Sequence, residues 1–366
     1  MTTSTKAEFP HYAKLSLILI GLAALFAILY VGRPIFVPLI GATLVAIMFS
    51  PVVDFLMRKR IHKLIAISIT LLLGIIVISA MGFLVASQVS GFKEMIPQIK
   101  TNFGSLLNDV KGWASSSFGL SPQKFDSMFN VKKMLSSGTP EMGKTLLSLG
   151  NIVMLAVVLP VYIFLILYYK PLLVEFIHRL CGYDNEEVVA DVLATTKITI
   201  KSYLSGLLLE ALIVGTLYSI GLLIIGVKFA LLLGVIAALL NIIPYVGQIV
   251  AGSLSVLMAL ATKESPTYAL ITLGLFAFIQ VIDNNFILPR VVASKVKLNA
   301  LVSIVVVIAG NLMWGVPGMF LAIPLTAICK VIFDDIKGLK AWGFLLGASM
   351  PGVKLMKEQK NPRKDE

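Results

Sequence analysis

Long apolar runs, separated by short polar or basic stretches, dominate the sequence from residue 15 onward. A membrane-spanning α-helix needs about 17 to 25 predominantly apolar residues, and six runs meet that requirement. These runs cover residues 15–31, 35–56, 64–89, 152–169, 203–225 and 268–288. Charged residues gather at the ends of the runs, as in the basic cluster from Arg58 to Lys63. The pattern predicts an all-α polytopic membrane protein with about six full transmembrane helices.

Two further apolar runs, residues 229–262 and 300–333, are broken near the middle by proline and glycine. An unbroken helix of either length would measure about 50 Å, whereas the legs on each side of a break measure roughly 20 to 22 Å. Such legs are shorter than the roughly 30 Å hydrocarbon core of a bilayer. We therefore expect two re-entrant helical hairpins, and a pair of short full spans is the alternative. Each run follows a full span, and the two have opposite orientation, which is typical of inverted-repeat transporters.

The two breaks place polar and turn-forming residues where hydrocarbon would be expected. Backbone N–H and C=O groups cannot face lipid unpaired, so a helix broken at membrane depth must face protein or a wet cavity. Glycine permits the turn, and proline frees backbone carbonyl groups that can coordinate a cation or accept a hydrogen bond from a solute. The candidate residues at the breaks are Asn241, Pro244, Tyr245, Gly247, Asn311, Gly315, Pro317 and Gly318. The alternative is a pair of interfacial turns with no further role.

Acidic residues inside apolar spans are costly, which makes each one a candidate for function. Glu210 lies in the fifth full span, and Asp283 lies late in the sixth. Gln280, Asp283 and Asn284 are spaced i, i+3 and i+4, so they share one helix face. A carboxylate beside two amides suits a cation or a hydroxylated solute, and a buried carboxyl group suits proton coupling. The alternatives are an interfacial ion pair between Asp283 and Arg290, and a Glu210 side chain that reaches the membrane surface.

The composition supports the membrane class and narrows the function. Hydrophobic residues make up 58% of the chain and charged residues 14%, against about 45 to 50% and about 25% in soluble domains. The net charge of +12 comes largely from Lys and Arg beside apolar spans, which indicates topological signals and contact with anionic lipid rather than nucleic acid. Two cysteines and three scattered histidines give no metal or disulfide pattern. No motif of an intramembrane enzyme is present, so neither a cofactor nor catalysis is expected.

The distribution of basic residues predicts the orientation and organisation of the chain. The positive-inside rule places the basic clusters, and with them both termini, in the cytoplasm. We expect transmembrane helices 1–3 in 1–91, an extracytoplasmic amphipathic helical insertion in 92–148, transmembrane helix 4 in 149–169, cytoplasmic amphipathic helices in 170–201, a transport core in 202–333 with both hairpins, and a cytoplasmic tail in 334–366. Apolar residues from Phe92 to Trp113 follow heptad spacing. This seam packs either on its own subunit or within a homo-oligomer.

Three ordered motifs resemble those of a known family. They read Asn-Ile-Ile-Pro-Tyr-Val-Gly-Gln from Asn241, Asp-Asn-Asn-Phe-Ile-Leu-Pro-Arg-Val-Val from Asp283, and Gly-Val-Pro-Gly-Met-Phe-Leu-Ala-Ile-Pro-Leu from Gly315. In this order they resemble the autoinducer-2 exporter family of membrane permeases, and the match covers most of the chain. The resemblance implies a homo-oligomer of the bacterial inner membrane that exports a small signal molecule or exchanges sodium ions for protons.

The chain departs from the family pattern after the second motif. Family members commonly read Gly-Leu-His-Pro there, whereas this chain reads Lys-Leu-Asn-Ala from Lys297. Because that histidine is absent, a proton-coupled mechanism would depend on Glu210 and Asp283. We therefore expect an inner-membrane transporter that exports a small polar solute or exchanges a monovalent cation for protons at the hairpin tips. The alternatives are a passive or mechanosensitive channel, gated by a hydrophobic constriction, and a membrane scaffold.

Overall fold

The computed structural model describes residues 10–118, 149–182, 186–242, 246–263, 265–293, 296, 298–336 and 338–348. These residues are almost entirely helical, and the extended pairing among them is a single bridge between Leu298 and Gly347. The helices are α1 (His11–Val31), α2 (Arg33–Arg58), α3 (Lys63–Phe118), α4 (Leu149–Cys181), α5 (Glu186–Ile225), α6 (Ala230–Asn241), α7 (Val246–Thr262), α8 (Thr267–Ile282), α9 (Ala300–Trp314), α10 (Val316–Asp335) and α11 (Lys340–Leu346). Two π-helical turns, Asp283–Ile287 and Pro289–Ala293, follow α8.

Six helices in the described part of the chain are long and apolar enough to cross a membrane, which confirms the predicted class and number. They are α2, the first part of α3, most of α4, α5, α8 with its π-helical turns, and α10. The set differs from the prediction at one place. The apolar part of α1, Leu15–Val31, is among the shorter helices, whereas α10 reaches spanning length. The reason is that α10 continues through Pro324 and ends only at Asp335, after 20 residues.

The predicted extracytoplasmic insertion begins inside a continuous helix. α3 extends from its apolar part, Lys63–Gln88, through Pro97 to Phe118, a length of 56 residues. The predicted boundary at residue 92 therefore does not interrupt the backbone. The side chains of the heptad seam and the remainder of the insertion, 119–148, lie outside what the structure describes.

The segment predicted to form cytoplasmic amphipathic helices, 170–201, is almost entirely helical where the structure describes it and lies at the ends of two long helices. Its position at the cytoplasmic surface stays a prediction. α4 continues through Pro171 to Cys181, and α5 runs for 40 residues from Glu186. Residues such as Glu, Lys, Ala and Leu are frequent here and favour helix. Pro171 lies at the predicted boundary, but α4 accommodates it and continues to Cys181. At the other end of the chain, part of the predicted tail forms α11, which packs on α10.

The two broken apolar runs form two pairs of packed helices. We call α6 and α7 the first broken pair, and α9 and α10 the second broken pair. In the second, Gly315 turns the chain at φ 66°, a conformation that residues with a Cβ rarely adopt. Gly310 and Gly318 face each other so closely that a Cβ on either would meet the backbone carbonyl of the other. Gly247 packs in the same way against the backbone of Leu240 in the first pair. Re-entry of either pair into the membrane stays a prediction.

Three clusters of buried apolar side chains hold the helices together. The first joins α5 to the first broken pair and α8, and it contains the stacked rings of Tyr218 and Phe276, whose centroids are 4.3 Å apart. The second joins α2, α5, the second π-helical turn and α10 around Leu204 and Leu321. The third joins α2, α3 and α4 around Ile67. Because α5 contributes to two of these clusters, its middle is fixed on both sides.

Candidate functional site

Two carboxyl groups lie buried where α5 approaches the end of α8. Glu210 is in the middle of α5 and is 4% exposed, and Asp283 opens the first π-helical turn and is 2% exposed. Acidic side chains are almost never this buried unless they are paired. Glu210 therefore does not reach the membrane surface, contrary to one of the alternatives drawn from the sequence.

A single amide bridges the two carboxyl groups. Asn241, the last residue of α6, donates from Nδ2 to Glu210 Oε1 at 3.1 Å and to Asp283 Oδ2 at 3.2 Å. Gln248 in the first turn of α7 donates from Nε2 to Asn241 Oδ1 at 3.0 Å. Because an amide oxygen only accepts, this bond orients the asparagine so that its two N–H groups face the carboxyl groups. Three helices and one π-helical turn thus meet in one hydrogen-bonded network.

The local sequence explains why these side chains meet. Asn241 and Gln248 are on opposite sides of the first break, and the two helices can approach because Gly247 has no side chain between it and the backbone of Leu240. Asp283 lies where α8 changes to π-helical geometry. A π-helical turn inserts an extra residue and re-aims side chains, and such turns are frequent at functional sites.

A cavity of about 230 Å³ adjoins this network. Its polar lining residues are Tyr203, Glu210, Asn241, Gln248, Gln280, Asp283, Asn284 and Ser303, and apolar side chains of α5, the π-helical turns, α9 and α10 line the remainder. The predicted helix face of Gln280, Asp283 and Asn284 therefore borders one cavity, together with Glu210 and Asn241. A cavity with a polar part and an apolar part is a common form of binding site.

Three oxygen atoms in the cavity-lining residues have no hydrogen-bond partner among the residues described. They are Glu210 Oε2, Asp283 Oδ1 and Gln280 Oε1, and all three are buried. Buried polar atoms normally have a partner, so unsatisfied ones require an explanation. Three oxygen acceptors on residues around one cavity suit a cation, a proton, or the donor groups of a polar solute.

Three polar lining residues, Tyr203, Gln248 and Ser303, were not among the candidates drawn from the sequence. Gln248 immediately follows Gly247 in the first motif, so its position beside the break was an available signal. Tyr203 lies seven residues before Glu210, about two helical turns away on the same face, which was a second signal. Ser303 gave none, because nothing in the sequence relates α9 to the carboxyl groups.

The structure divides the predicted site residues. Asn311, Gly315, Pro317 and Gly318 do not line this cavity; Asn311 and Pro317 are exposed, and Gly318 is buried against Gly310. Gly247 supports the network from outside the cavity. Pro244 and Tyr245 lie outside the described residues. The second break therefore does not share the cavity of the first, although both had been expected at one site.

Among the described residues there is no group of three or more His, Cys, Asp or Glu side chains that could hold a metal ion. Cys181 and Cys329 lie at exposed positions and form no disulfide in the part of the chain that the structure describes. The unpartnered oxygen atoms at the cavity belong to two carboxyl groups and an amide, a set suited to hard cations or protons rather than to the softer metals that thiolate groups bind.

Six spanning-length helices among the described residues indicate an integral membrane protein, and buried carboxyl groups beside a cavity are a feature that membrane transport proteins commonly show. The sequence model of the AI-2E family transporters matches residues 19–338, and the chain belongs to this family. It is a membrane transporter of that family, and its apolar helices contact lipid.

Several relatives are similar over nearly their whole length. "Putative transport protein YueF" of Bacillus subtilis is 26% identical over 318 residues, which are 82% of this chain and 84% of that one. "Putative transport protein YhhT" of Escherichia coli is 24% identical over 343 residues, 92% of this chain and 96% of that one. "AI-2 transport protein TqsA" of Escherichia coli is 25% identical over 319 residues, 85% of this chain and 89% of that one.

Proposed function

We propose that the chain exchanges a monovalent cation for protons at the network of Glu210, Asn241 and Asp283. The observation that supports this is the bridge: two buried carboxyl groups share one amide donor, at 3.1 and 3.2 Å. Two carboxyl groups repel each other when both are ionised, and a positive charge close to them relieves the repulsion. A cation and a proton therefore compete for the same position, which is the requirement for exchange.

The unpartnered oxygens indicate where the cation would bind. Glu210 Oε2, Asp283 Oδ1 and Gln280 Oε1 would contact it, while Asn241 holds the other carboxylate oxygens in place. When protons replace the cation, the carboxyl groups become neutral and the network loses its attraction for a second cation. Because the site binds either the cation or protons but not both, the two ions cannot cross the membrane together in the same direction.

The first broken pair supplies the moving part in this proposal. Its helices have 12 and 17 residues, or about 18 and 26 Å, so both are shorter than the roughly 30 Å hydrocarbon core. A re-entrant pair of this kind carries Asn241 and Gln248 to membrane depth. In the second pair, α9 is short and α10 is long enough to span, so re-entry there concerns α9 alone. The proposal retains a bacterial inner-membrane location, cytoplasmic termini and a homo-oligomer.

The test is a proton-flux assay in proteoliposomes. Purified protein is reconstituted with a pH gradient and a pH-sensitive dye, and Na⁺, Li⁺ or K⁺ is added in turn. We expect cation-dependent proton movement, reduced at least tenfold in Glu210→Gln and in Asp283→Asn, since a neutral amide cannot exchange a cation for a proton. Glu187→Gln is the matched control, because Glu187 is an exposed carboxyl group on the same helix as Glu210.

Three results would contradict the proposal. Absence of proton movement with every cation would exclude exchange, and unitary currents in a planar bilayer would indicate a channel instead. Full activity in both Glu210→Gln and Asp283→Asn would remove the site from the mechanism even if exchange itself were observed.

A second candidate function is export of a small polar solute, and the size of the cavity favours it. A volume of about 230 Å³ greatly exceeds the roughly 30 Å³ that one water molecule occupies in the liquid, so the cavity has room for several heavy atoms. The name of the TqsA relative states AI-2 transport. Cells that express this chain should release more AI-2 into the medium than cells that express Asn241→Ala. Equal release would exclude AI-2 as the exported solute.

A further inference from the structure

A second group of cavities lies between the end of α2, the end of α4 and the start of α5. It shares no lining residue with the cavity beside Glu210 and Asp283. The group consists of three adjoining cavities of about 430, 510 and 610 Å³. Each cavity shares lining residues with the other two. The cavities of 430 and 510 Å³ share Ser50 and Lys170, those of 430 and 610 Å³ share Ala194 and Lys197, and those of 510 and 610 Å³ share Asp54. We call this continuous surface the basic groove.

The groove carries more positive than negative side chains. Its basic residues are Arg58, Lys63, Lys170, Lys197 and Lys201, and its acidic residues are Asp54, Glu175 and Glu186. Two of the acidic groups already have cationic partners: Asp54 is 4.0 Å from Lys170, and Glu175 binds Arg179. Lys197 and Lys201 form no ion pair within the described ranges. The groove therefore offers unpaired positive charge to an anion.

The walls of the groove are apolar. Ala46, Ile47, Val174, Leu193 and Ala194 line the cavity that also contains Lys170 and Lys197. A free anion gains nothing from such walls, whereas a hydrocarbon chain gains about 0.8 kcal/mol for each methylene group that it removes from water. The combination of basic ends and apolar walls suits an anion that carries an acyl chain.

The groove lies at the level where lipid headgroups are expected. Tyr168 and Tyr169 precede Lys170 at the end of the apolar part of α4, and tyrosines are enriched at the membrane–water interface. Lys63 donates to the backbone carbonyl of Tyr168 at 2.7 Å, and its ammonium lies 5.2 Å from the centre of that ring. The charged end of the groove is therefore at the interface, and its apolar walls continue along α2 toward Thr43.

We propose that the basic groove binds an anionic phospholipid. The phosphodiester contacts Lys197, Lys201 and Arg58, and one acyl chain lies against the apolar walls formed by α2, α4 and α5. Basic pockets between transmembrane helices commonly bind anionic headgroups. This site is separate from the network of Glu210 and Asp283, so the proposal does not depend on the transport mechanism.

Native mass spectrometry of the full-length protein in detergent tests the proposal. The probes are phosphatidylglycerol, phosphatidylcholine with the same acyl chains, and inorganic phosphate. We expect bound phosphatidylglycerol at low micromolar lipid, little phosphatidylcholine, and no displacement by millimolar phosphate. Two basic residues near an anionic headgroup typically change affinity on the order of tenfold or more, so Lys197→Gln with Lys201→Gln should weaken phosphatidylglycerol binding by that factor. These residues have no partner in the described fold, so folding should be unaffected.

A matched double variant controls for the loss of charge. Lys228→Gln with Lys340→Gln removes the same charge from exposed positions outside the groove and should leave binding unchanged. Ala194→Leu fills the apolar wall without altering charge, and it should also weaken phosphatidylglycerol binding. Equal affinity for the two lipids, or unchanged affinity in Lys197→Gln with Lys201→Gln, would overturn the proposal. Displacement by phosphate, or full affinity in Ala194→Leu, would show that the acyl chain takes no part and would also overturn it.

Discussion

The first and second broken pairs resemble each other in sequence but differ in what their breaks contain. Each has an asparagine shortly before its break and a glycine and a proline within it. Asn241 is half-buried and bridges two carboxyl groups, whereas Asn311 is exposed. The asparagine side chain therefore binds two carboxyl groups in the first pair, whereas in the second pair it lies at an exposed position.

The second pair is distinguished by packing. Gly310 and Gly318 bring α9 and α10 into backbone contact, and Trp314 donates from Nε1 to the carbonyl of Leu29 in α1 at 3.0 Å. Its contribution to the cavity beside Glu210 and Asp283 comes from the helix walls, at residues such as Ile304 and Ile323. Buried carboxyl groups from other helices therefore meet the first break, whereas the described contacts at the second break are packing contacts and one hydrogen bond to α1.

The largest expected effect is the difference in proton flux between Asn241→Ala and Asn311→Ala. Asn241→Ala removes both donors between the carboxyl groups, and hydrogen bonds to charged groups contribute about 1.5 to 3 kcal/mol each. Cation-dependent proton flux in proteoliposomes should fall at least tenfold. Asn311→Ala removes the same side chain from the second pair and should leave the flux within about twofold of the parent. Similar losses in both variants would show that the two breaks share one function.

The next effect is on stability and concerns the glycine contact of the second pair. In Gly310→Ala the new methyl group meets the backbone of Gly318, and overpacking of this kind typically costs about 1 to 3 kcal/mol. The melting temperature in detergent should fall by several degrees. Gly274→Ala is the control, because a Cβ at Gly274 in α8 meets no atom within 4 Å. An unchanged melting temperature in Gly310→Ala would mean that the two helices are not in backbone contact.

A smaller effect is expected for the residue that orients the bridge. Gln248→Ala removes the donor to Asn241 Oδ1, and a neutral hydrogen bond contributes about 0.5 to 1.5 kcal/mol. Proton flux should fall roughly two- to tenfold, less than in Asn241→Ala. A larger loss than in Asn241→Ala would assign the central position to Gln248.

The smallest effect is expected where the second pair meets α1. Trp314→Phe keeps an aromatic ring but loses the bond to Leu29, and its cost should be about 1 kcal/mol of stability. Proton flux should be unchanged, because Trp314 does not line the cavity beside Glu210 and Asp283. A clear loss of flux without a loss of stability would connect the second break to transport.

The same comparison shows what the sequence could and could not predict. Glu210 and Asp283 were recognisable because a charge inside an apolar run is costly wherever the helix lies. Their convergence on Asn241 was not predictable, because it depends on how α5, α6 and the end of α8 pack. The length of α10 was underestimated because the whole stretch from Trp314 to Gly318 was taken as the break, whereas α10 begins inside it at Val316 and continues to Asp335. The π-helical geometry at Asp283 left no recognisable pattern in the residues.

The length of α3 has a mechanical consequence. The 30 or so residues that follow Gln88 in this helix extend about 45 Å at 1.5 Å per residue. Near the base of this rod, a Cβ at Gly91 would be 3.1 Å from the ring of Phe229, the residue that precedes the first broken pair. A tilt of only about 10° at that contact displaces the far end of the rod by roughly 8 Å. If the segment after Gln88 moves as one body, a spectroscopic label near residue 118 would therefore report a small rotation beside the first broken pair as a large displacement.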